Sequence, residues 1–267
     1  MAIYSRTQAQ LRQTLSRRNH DLELVTCEAG SDATHFVSSY LLGNGKDDYY
    51  NTWEAHAYEG TNIGNTREIT DWVHADKKAT LAPAFSSALD ITSKLELHRE
   101  CKVAELNDFL NEAIDMVAKE ILFDIVNETV VLVADTREYA LPLTIIEIDR
   151  ITREYNTAGI YKMDDVIDPR DYKLLHKFPP KLWLADNWSP LAGRHLRIEG
   201  RASQDRLTSD GDICALPPVF VVQQALAFYQ ASRATAEHTQ MLVAAQAMAD
   251  RARYRHYSRS PSLDYNK

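Results

Sequence analysis

One stretch of this chain constrains its fold more than any other. From Lys102 to Phe123, apolar residues recur at Val103, Leu106, Leu110, Ile114, Val117 and Ile121. Steps of three and four residues put all six on one face of an α-helix. Glu105, Asp108, Glu112 and Lys119 fall off that stripe. The helix separates two stretches of different texture, each rich in alternating and β-branched residues and broken by turn formers. A chain built this way predicts an α+β protein.

The first strand-rich stretch runs from about Asp21 to Glu100. It opens at Leu22, Leu24 and Val25. Residues 53–58 and 67–72 partly alternate, with the turn-forming Gly60-Thr-Asn-Ile-Gly64 between them. Ala79 to Ala82 ends at Pro83, and Lys94-Leu-Glu-Leu-His98 alternates cleanly. Short strands at this spacing predict a small antiparallel barrel or sandwich. The second stretch, from Glu128 to about Gly200, offers strands at 129–133, 143–151, 182–184 and 195–198, with a break at Tyr139-Ala-Leu-Pro142.

Helices are expected at both ends. Residues 5–18 read as a short helix with a capping box at Ser5 and Gln8. Leu11 and Leu15 share its apolar face, while Arg6, Arg12, Arg17 and Arg18 are expected to point elsewhere. After the Asp210-Gly-Asp212 turn, Pro217 and Pro218 suit a first helical turn. A long helix is expected to follow, from about Val219 to Tyr254, with Val222, Leu226, Tyr229, Met241, Leu242, Ala245 and Met248 as its stripe. Arg255 to Lys267 has no apolar period and reads as an extended arm. The expected domains are an N-terminal helix at 1–20, a β-barrel or sandwich module at 21–100, a helical domain with an inserted β-region at 101–254, and the arm at 255–267.

Charge and chemistry narrow the function classes. The net charge of −8 argues against a protein that coats duplex DNA. Residues 21–60 hold eight acids and the single base Lys46, whereas residues 250–267 hold five bases and two acids. Such polarity suits head-to-tail packing between copies or with partners. The longest apolar stretch, around 129–134, is far short of the ~20 residues that span a bilayer, and the N-terminus has no signal architecture. No membrane partner is expected, and folding is expected in the cytoplasm. Cys27, Cys101 and Cys214 are too few and too scattered for a disulfide framework or a zinc site, so buried free thiols are expected. Gly43-Asn-Gly45 and Gly60 to Gly64 lack the Lys-Ser/Thr ending of a phosphate loop. The histidines have no metal-ligand spacing, even where His35 and His56 lie near Asp32 and Glu54. A loop calcium site around Asp47 and Asp48 is conceivable. Tyr49, Tyr50, Trp53 and Tyr58 are expected in the β-domain core and rim rather than as a stacking platform. No convergent set of catalytic groups is visible, so neither enzymatic activity nor a cofactor is expected.

Two sets of motifs carry a resemblance. Asp47-Asp-Tyr-Tyr-Asn-Thr-Trp53, Glu59-Gly-Thr-Asn-Ile-Gly-Asn-Thr-Arg67 through Trp72, and Ala79-Thr-Leu-Ala-Pro-Ala-Phe85 resemble a β-module of tailed-bacteriophage structural proteins. Thr52 stands where that module usually has glycine, and Leu95-Glu-Leu97 where it often has Tyr-Glu-Leu. The helix at 103–121, Arg137-Glu-Tyr-Ala-Leu-Pro142, Trp183, Arg197-Ile198, Arg206 to Asp210 and Leu216-Pro-Pro218 are similar to phage head–tail connector and adaptor (neck) proteins. The resemblance implies a virion structural protein at the head–tail interface, assembled in the host cytoplasm. It implies a homo-oligomeric ring, twelve copies by that analogy, bridging portal protein and tail or neck proteins. Double-stranded DNA would pass through the lumen without specific binding. Partner contacts would come from the C-terminal segment, at Arg251, Arg253, Arg255, Tyr257, Arg259, Leu263 and Tyr265. Loop or subunit contacts would come from Asp47, Asp48, Tyr49 and Tyr50. The alternatives are another tail or baseplate component, a glycan-binding module using Tyr49, Tyr50 and Trp53, and a hydrolase without a visible motif.

Overall fold

The computed structural model describes residues 5–118, 120–142, 145–155, 159–177, 179–185, 193–233, 243 and 246–251. The elements follow in this order: β1 (Arg6–Thr7), α1 (Gln8–Arg18), β2 (Glu23–Thr26), β3 (His35–Val37), β4 (Glu54–Glu59), β5 (Thr66–Val73), β6 (Lys78–Ala82), β7 (Lys94–His98) and α2 (Val103–Asp115). Then come β8 (Leu122–Val131), β9 (Glu138–Ala140), β10 (Ile145–Glu154), β11 (Tyr161–Val166), β12 (Tyr172–Leu175), β13 (Lys181–Leu184), β14 (His195–Ser203), β15 (Ile213–Cys214) and α3 (Pro218–Ser232). The expected α+β class holds. The chain divides into two compact units, Val117–Asp205 forming one and the segments on either side of it forming the other.

In the two-segment unit, an antiparallel sheet runs in the order β2-β7-β4-β5-β6-β3. It curls until its outer strands meet. The Glu28 N–H, just past β2, donates to the Val37 carbonyl at the end of β3 at 2.9 Å. The result is a small barrel with Phe36, Tyr50, Ile69, Trp72, Leu95 and Leu97 at its centre. β3, absent from the sequence reading, is three residues long and too short to show a period.

The barrel explains the motif residues. Asn62 is buried in the 60–64 turn, donating to the Ser87 carbonyl at 2.9 Å and accepting from the Ser87 N–H at 3.3 Å. Arg67 donates to the Ala84 carbonyl at 3.0 Å and lies over the Phe85 ring, 4.9 Å from its centroid. The Asn and the Arg of the motif therefore tie the 60–64 turn and the start of β5 to the Pro-x-Phe segment that follows β6. Thr52, where glycine was expected, has φ of 70°, the left-handed region that favours glycine.

α1 covers the outer face of β4 and β7. Its N-cap is Thr7 with Gln10 closing the capping box, two residues beyond the expected Ser5 and Gln8. The register moves because β1 pairs with β15, which keeps Arg6 and Thr7 extended. The loop before β15 also caps the helix: the Gln8 and Ala9 N–H groups donate to the Asp212 and Asp210 carbonyls at 3.0 and 3.3 Å.

α2 ends at Asp115, earlier than expected. Val117 and Ile121 are buried, and a single further turn closes with Ile121 N–H donating to the Val117 carbonyl before β8 begins. α3 is buried nearly all round and packs on both α1 and α2. The expected helix to Tyr254 is not one rod. The Gln224 and Gln246 amides exchange hydrogen bonds at 3.3 and 3.2 Å. Twenty-two residues of straight helix would separate them by ~33 Å. The helical residues 246–251 therefore lie alongside α3.

The Val117–Asp205 unit packs two antiparallel sheets, β11-β10-β14-β8 and β12-β13-β9. Their shared core includes Val130, Tyr139, Ile151, Leu182, Leu196 and Ile198. β11 and β12 escape a sequence reading because their burial barely alternates. Register in the central pair depends on Gly200. A Cβ there would lie 2.1 Å from the Glu147 carbonyl oxygen, beside the bulge in β10. Gly200→Ala should therefore destabilise this unit by about 2 kcal/mol or more, measured by urea unfolding, because backbone rather than a side chain must yield.

A buried ionic network and the exposed assembly surfaces

The strongest concentration of chemistry in the described residues lies beneath α1. β7 reads as a half-exposed strand, but both its faces are covered. Leu95 and Leu97 enter the barrel, and Glu96 and His98 turn outward under the helix with 0% and 1% exposure. Arg12, expected to point away from the apolar face, is itself 0% exposed. It lies three residues before Leu15, so the buried face of α1 is wider than the Leu11–Leu15 stripe suggests.

Arg12 grips Glu96 with two parallel bonds, Nε to Oε2 at 2.8 Å and Nη2 to Oε1 at 3.0 Å. Its Nη1 donates to Asp210 Oδ1 at 2.6 Å and to Asn107 Oδ1 at 3.2 Å. His98 Nε2 and Gln13 Nε2 complete the shell of Glu96 at 3.1 and 2.9 Å. His56 Nε2 meets Asp210 Oδ2 at 2.7 Å. Burial pushes the Glu96 pKa up, but the bonds from His98 and Arg12 and the Arg12 charge outweigh it and take the carboxyl down to about 2. Asp210 is held below the carboxylate range in the same way, burial being offset by His56 and Arg12.

This network has the parts of an active site but not the access. Ser16 Oγ, His98 and Glu96 form a hydroxyl–imidazole–carboxylate line, with Ser16 Oγ 3.1 Å from His98 Nδ1. Ser16 is 0% exposed, so no substrate reaches that oxygen. His56 lines a cleft of about 510 Å³ with Glu54, Ile63 and Asp210. Both its ring nitrogens are taken, Nε2 by Asp210 and Nδ1 by Thr66 Oγ1 at 2.8 Å. Glu54 accepts from the Val103 N–H at 3.2 Å. What the arrangement does is join α1, two barrel strands, α2 and the 208–212 loop.

The predicted contact residues divide. Asp47 and Asp48 are exposed, Asp47 accepting from the His74 N–H and Asp48 from Asn51 Nδ2, each at 2.7 Å. Tyr49 is half-buried. Tyr50, expected as a possible contact, turns into the core instead and donates its hydroxyl to Glu23 at 2.7 Å. It packs edge-on against Trp53 and Trp72, and Trp53 is buried too, so neither ring presents a stacking face. The 21–60 acids are less of a patch than their count implies. Asp21 caps the N–H groups of Arg99, Glu100 and Cys101, and Glu23 and Glu54 are engaged as above. Arg251 is exposed, whereas Arg253, Arg255, Tyr257, Arg259, Leu263 and Tyr265 lie outside the described residues. Cys27, Cys101 and Cys214 are free and buried, with thiol pKa values pushed by burial to about 12, 12 and 11. Among the described residues, no group of three or more His, Cys, Asp or Glu side chains is placed to hold a metal ion, and no helix is long and apolar enough to cross a membrane.

The family model described as SU10 adaptor protein matches residues 79–263, from β6 to near the C-terminus. The chain belongs to the SU10 adaptor protein family. It is thus a phage structural adaptor protein, and the match spans α2, the inserted unit and α3. No curated protein matches the chain. The adaptor's N-terminal helix and the first barrel strands lie outside the matched span, yet Arg12 and Glu96 bind them to it. The residues of the ionic network escaped the sequence reading because its partners stand 84 and 198 positions from Arg12.

Two predictions follow from the network. Arg12→Met strands two buried carboxylates and should cost about 3–5 kcal/mol at neutral pH, read by chemical unfolding. The folded-state pKa values of Glu96 and Asp210 lie below their ordinary values, so their contribution is complete above about pH 5 and drains away as pH falls toward 2. Acid unfolding of the Glu96→Gln protein should therefore show a shallower pH dependence over that window than wild type.

Proposed function

We propose that this adaptor is a virion subunit of the head–tail junction, forming a ring that bridges portal and tail around the DNA channel and performing no chemistry itself. The observation that carries this reading is the SU10 adaptor match across residues 79–263. The sealed ionic network supports the non-enzymatic part, because its nucleophile-like and base-like groups are buried or already bonded. A net charge of −8 supports a channel past which DNA slides rather than sticks. A ring made by repeating one interface needs two different, complementary patches on each chain.

Native mass spectrometry of the full chain, alone and with the portal protein of its virion, tests the reading. A closed ring or a stoichiometric portal complex is the expected outcome, and a chain that ignores the portal under all conditions contradicts portal bridging. Deleting Arg255 to Lys267 should leave the circular dichroism spectrum and thermal midpoint unchanged and abolish incorporation into particles. Normal incorporation of the truncated chain would remove the docking role of that segment.

A further inference from the structure

A shallow groove of about 310 Å³ runs between the exposed face of α1 and the first turn of α3. Arg6, Arg17 and Arg18 line it, with Val219 and Val222 contributing its apolar wall. All three arginine side chains are exposed, and their guanidinium groups form no hydrogen bond or ion pair with any described residue. Among the described residues no acidic side chain lines the groove, and neither helix has an acid in its first turn. Three cations with no counter-charge among the described residues, beside an exposed valine, Val219 at 56%, form a surface with a charge preference and an apolar element.

A loop on the same chain has the matching properties. Tyr40 and Leu42 are 79% and 69% exposed, and Asp47 and Asp48 follow them closely. The loop is held rigid rather than left to hide its apolar groups. Gly43 to Gly45 form a short 3-10 turn, and the Gly43 N–H donates to Tyr50 Oη at 3.3 Å. Asp48 N–H donates to the Trp72 carbonyl at 2.9 Å, and Asp47 accepts from His74. Gly43 cannot be replaced without collision, since a Cβ there would stand 2.6 Å from Trp72 Nε1. A pre-organised loop that keeps a tyrosine and a leucine in water has less backbone ordering entropy to lose on docking.

We propose that the arginine groove of one copy receives the Tyr40–Asp48 loop of a second copy, Asp47 and Asp48 facing Arg17 and Arg18 while Tyr40 or Leu42 packs against Val219. The inference rests on the ring reading above and names the surfaces that would build it. The contact is heterologous, joining unlike patches, and so propagates from copy to copy rather than closing a dimer. Arginine and tyrosine are the side chains that most often anchor such contacts. A DNA phosphate backbone is the competing occupant; it would use the three cations but leave Val219 and the exposed loop without a role.

Charge exchange tests the pairing. Self-association of the full chain is followed by native mass spectrometry and sedimentation up to its solubility limit. Comparison is made among wild type, R17E/R18E, D47K/D48K and the protein carrying all four substitutions. Each paired reversal should weaken association at least about tenfold, because like charges then face each other. The fourfold variant should recover to near wild type. All four sites are exposed, an unchanged thermal midpoint checks that each variant folds, and D47N/D48N, which removes the charges but keeps an acceptor oxygen for the His74 N–H, separates loss of charge from loss of the loop's anchor. Wild-type association that survives R17E/R18E overturns the groove while leaving the ring reading intact. Loss in both reversals without recovery in the fourfold variant overturns the pairing of these patches. A wild-type chain that remains monomeric at every concentration overturns the interface, and incorporation of the chain into particles then decides separately whether the adaptor reading survives. Duplex binding that is lost in R17E/R18E while self-association persists reassigns the groove to DNA.

Discussion

A single guanidinium organises the unit that carries both termini. Arg12 sits with no solvent exposure between Glu96 of the barrel and Asp210 of the returning chain, bonded to both. Such a group is costly to bury, and its net worth against a well-packed apolar side chain is small. Its value is specificity. A leucine at position 12 would accept many helix placements on an apolar sheet face, whereas a two-pronged bond to one carboxylate and a third bond to another accepts one. The same loop that supplies Asp210 supplies the carbonyls that cap α1 and the strand that pairs with Arg6 and Thr7. The first helix is therefore fastened by residues almost two hundred positions away, and the Val117–Asp205 unit is an insertion between the two halves of that fastening.

Much of the barrel was legible in the residues because its strands alternate and its turns carry glycine and asparagine. Glu54 to Glu59, Thr66 to Val73, Lys78 to Ala82 and Lys94 to His98 all fall where the pattern places them. What was not legible is instructive. Glu96 and His98 read as the wet face of a strand, and only the helix laid over them makes that face dry. Arg12 read as a solvent arginine because charge is a strong local cue for exposure, and the partners that overrule it are distant in sequence. The C-terminal helix looked continuous because alanine, glutamine and methionine all favour helix; the Gln224–Gln246 contact is a tertiary fact with no local signature. Tyr50 reads as an aromatic of the barrel's core and rim, but the bond of its hydroxyl to Glu23 and its two tryptophan neighbours have no local signature.

The adaptor's polar core holds its elements in register, and the Ser16 hydroxyl within it has no solvent exposure. Its surface keeps a hydrogen-bonded loop with exposed Tyr40 and Leu42, and arginines on α1 with no counter-charge among the described residues.

The most direct test of this account is a cryo-electron microscopy reconstruction of the intact particle, with this chain fitted into its density. The account predicts a closed ring of copies directly beneath the portal, with the barrel and α1 of neighbouring copies in contact. Density for the chain at the tail tip or baseplate, with none at the head–tail junction, would contradict it.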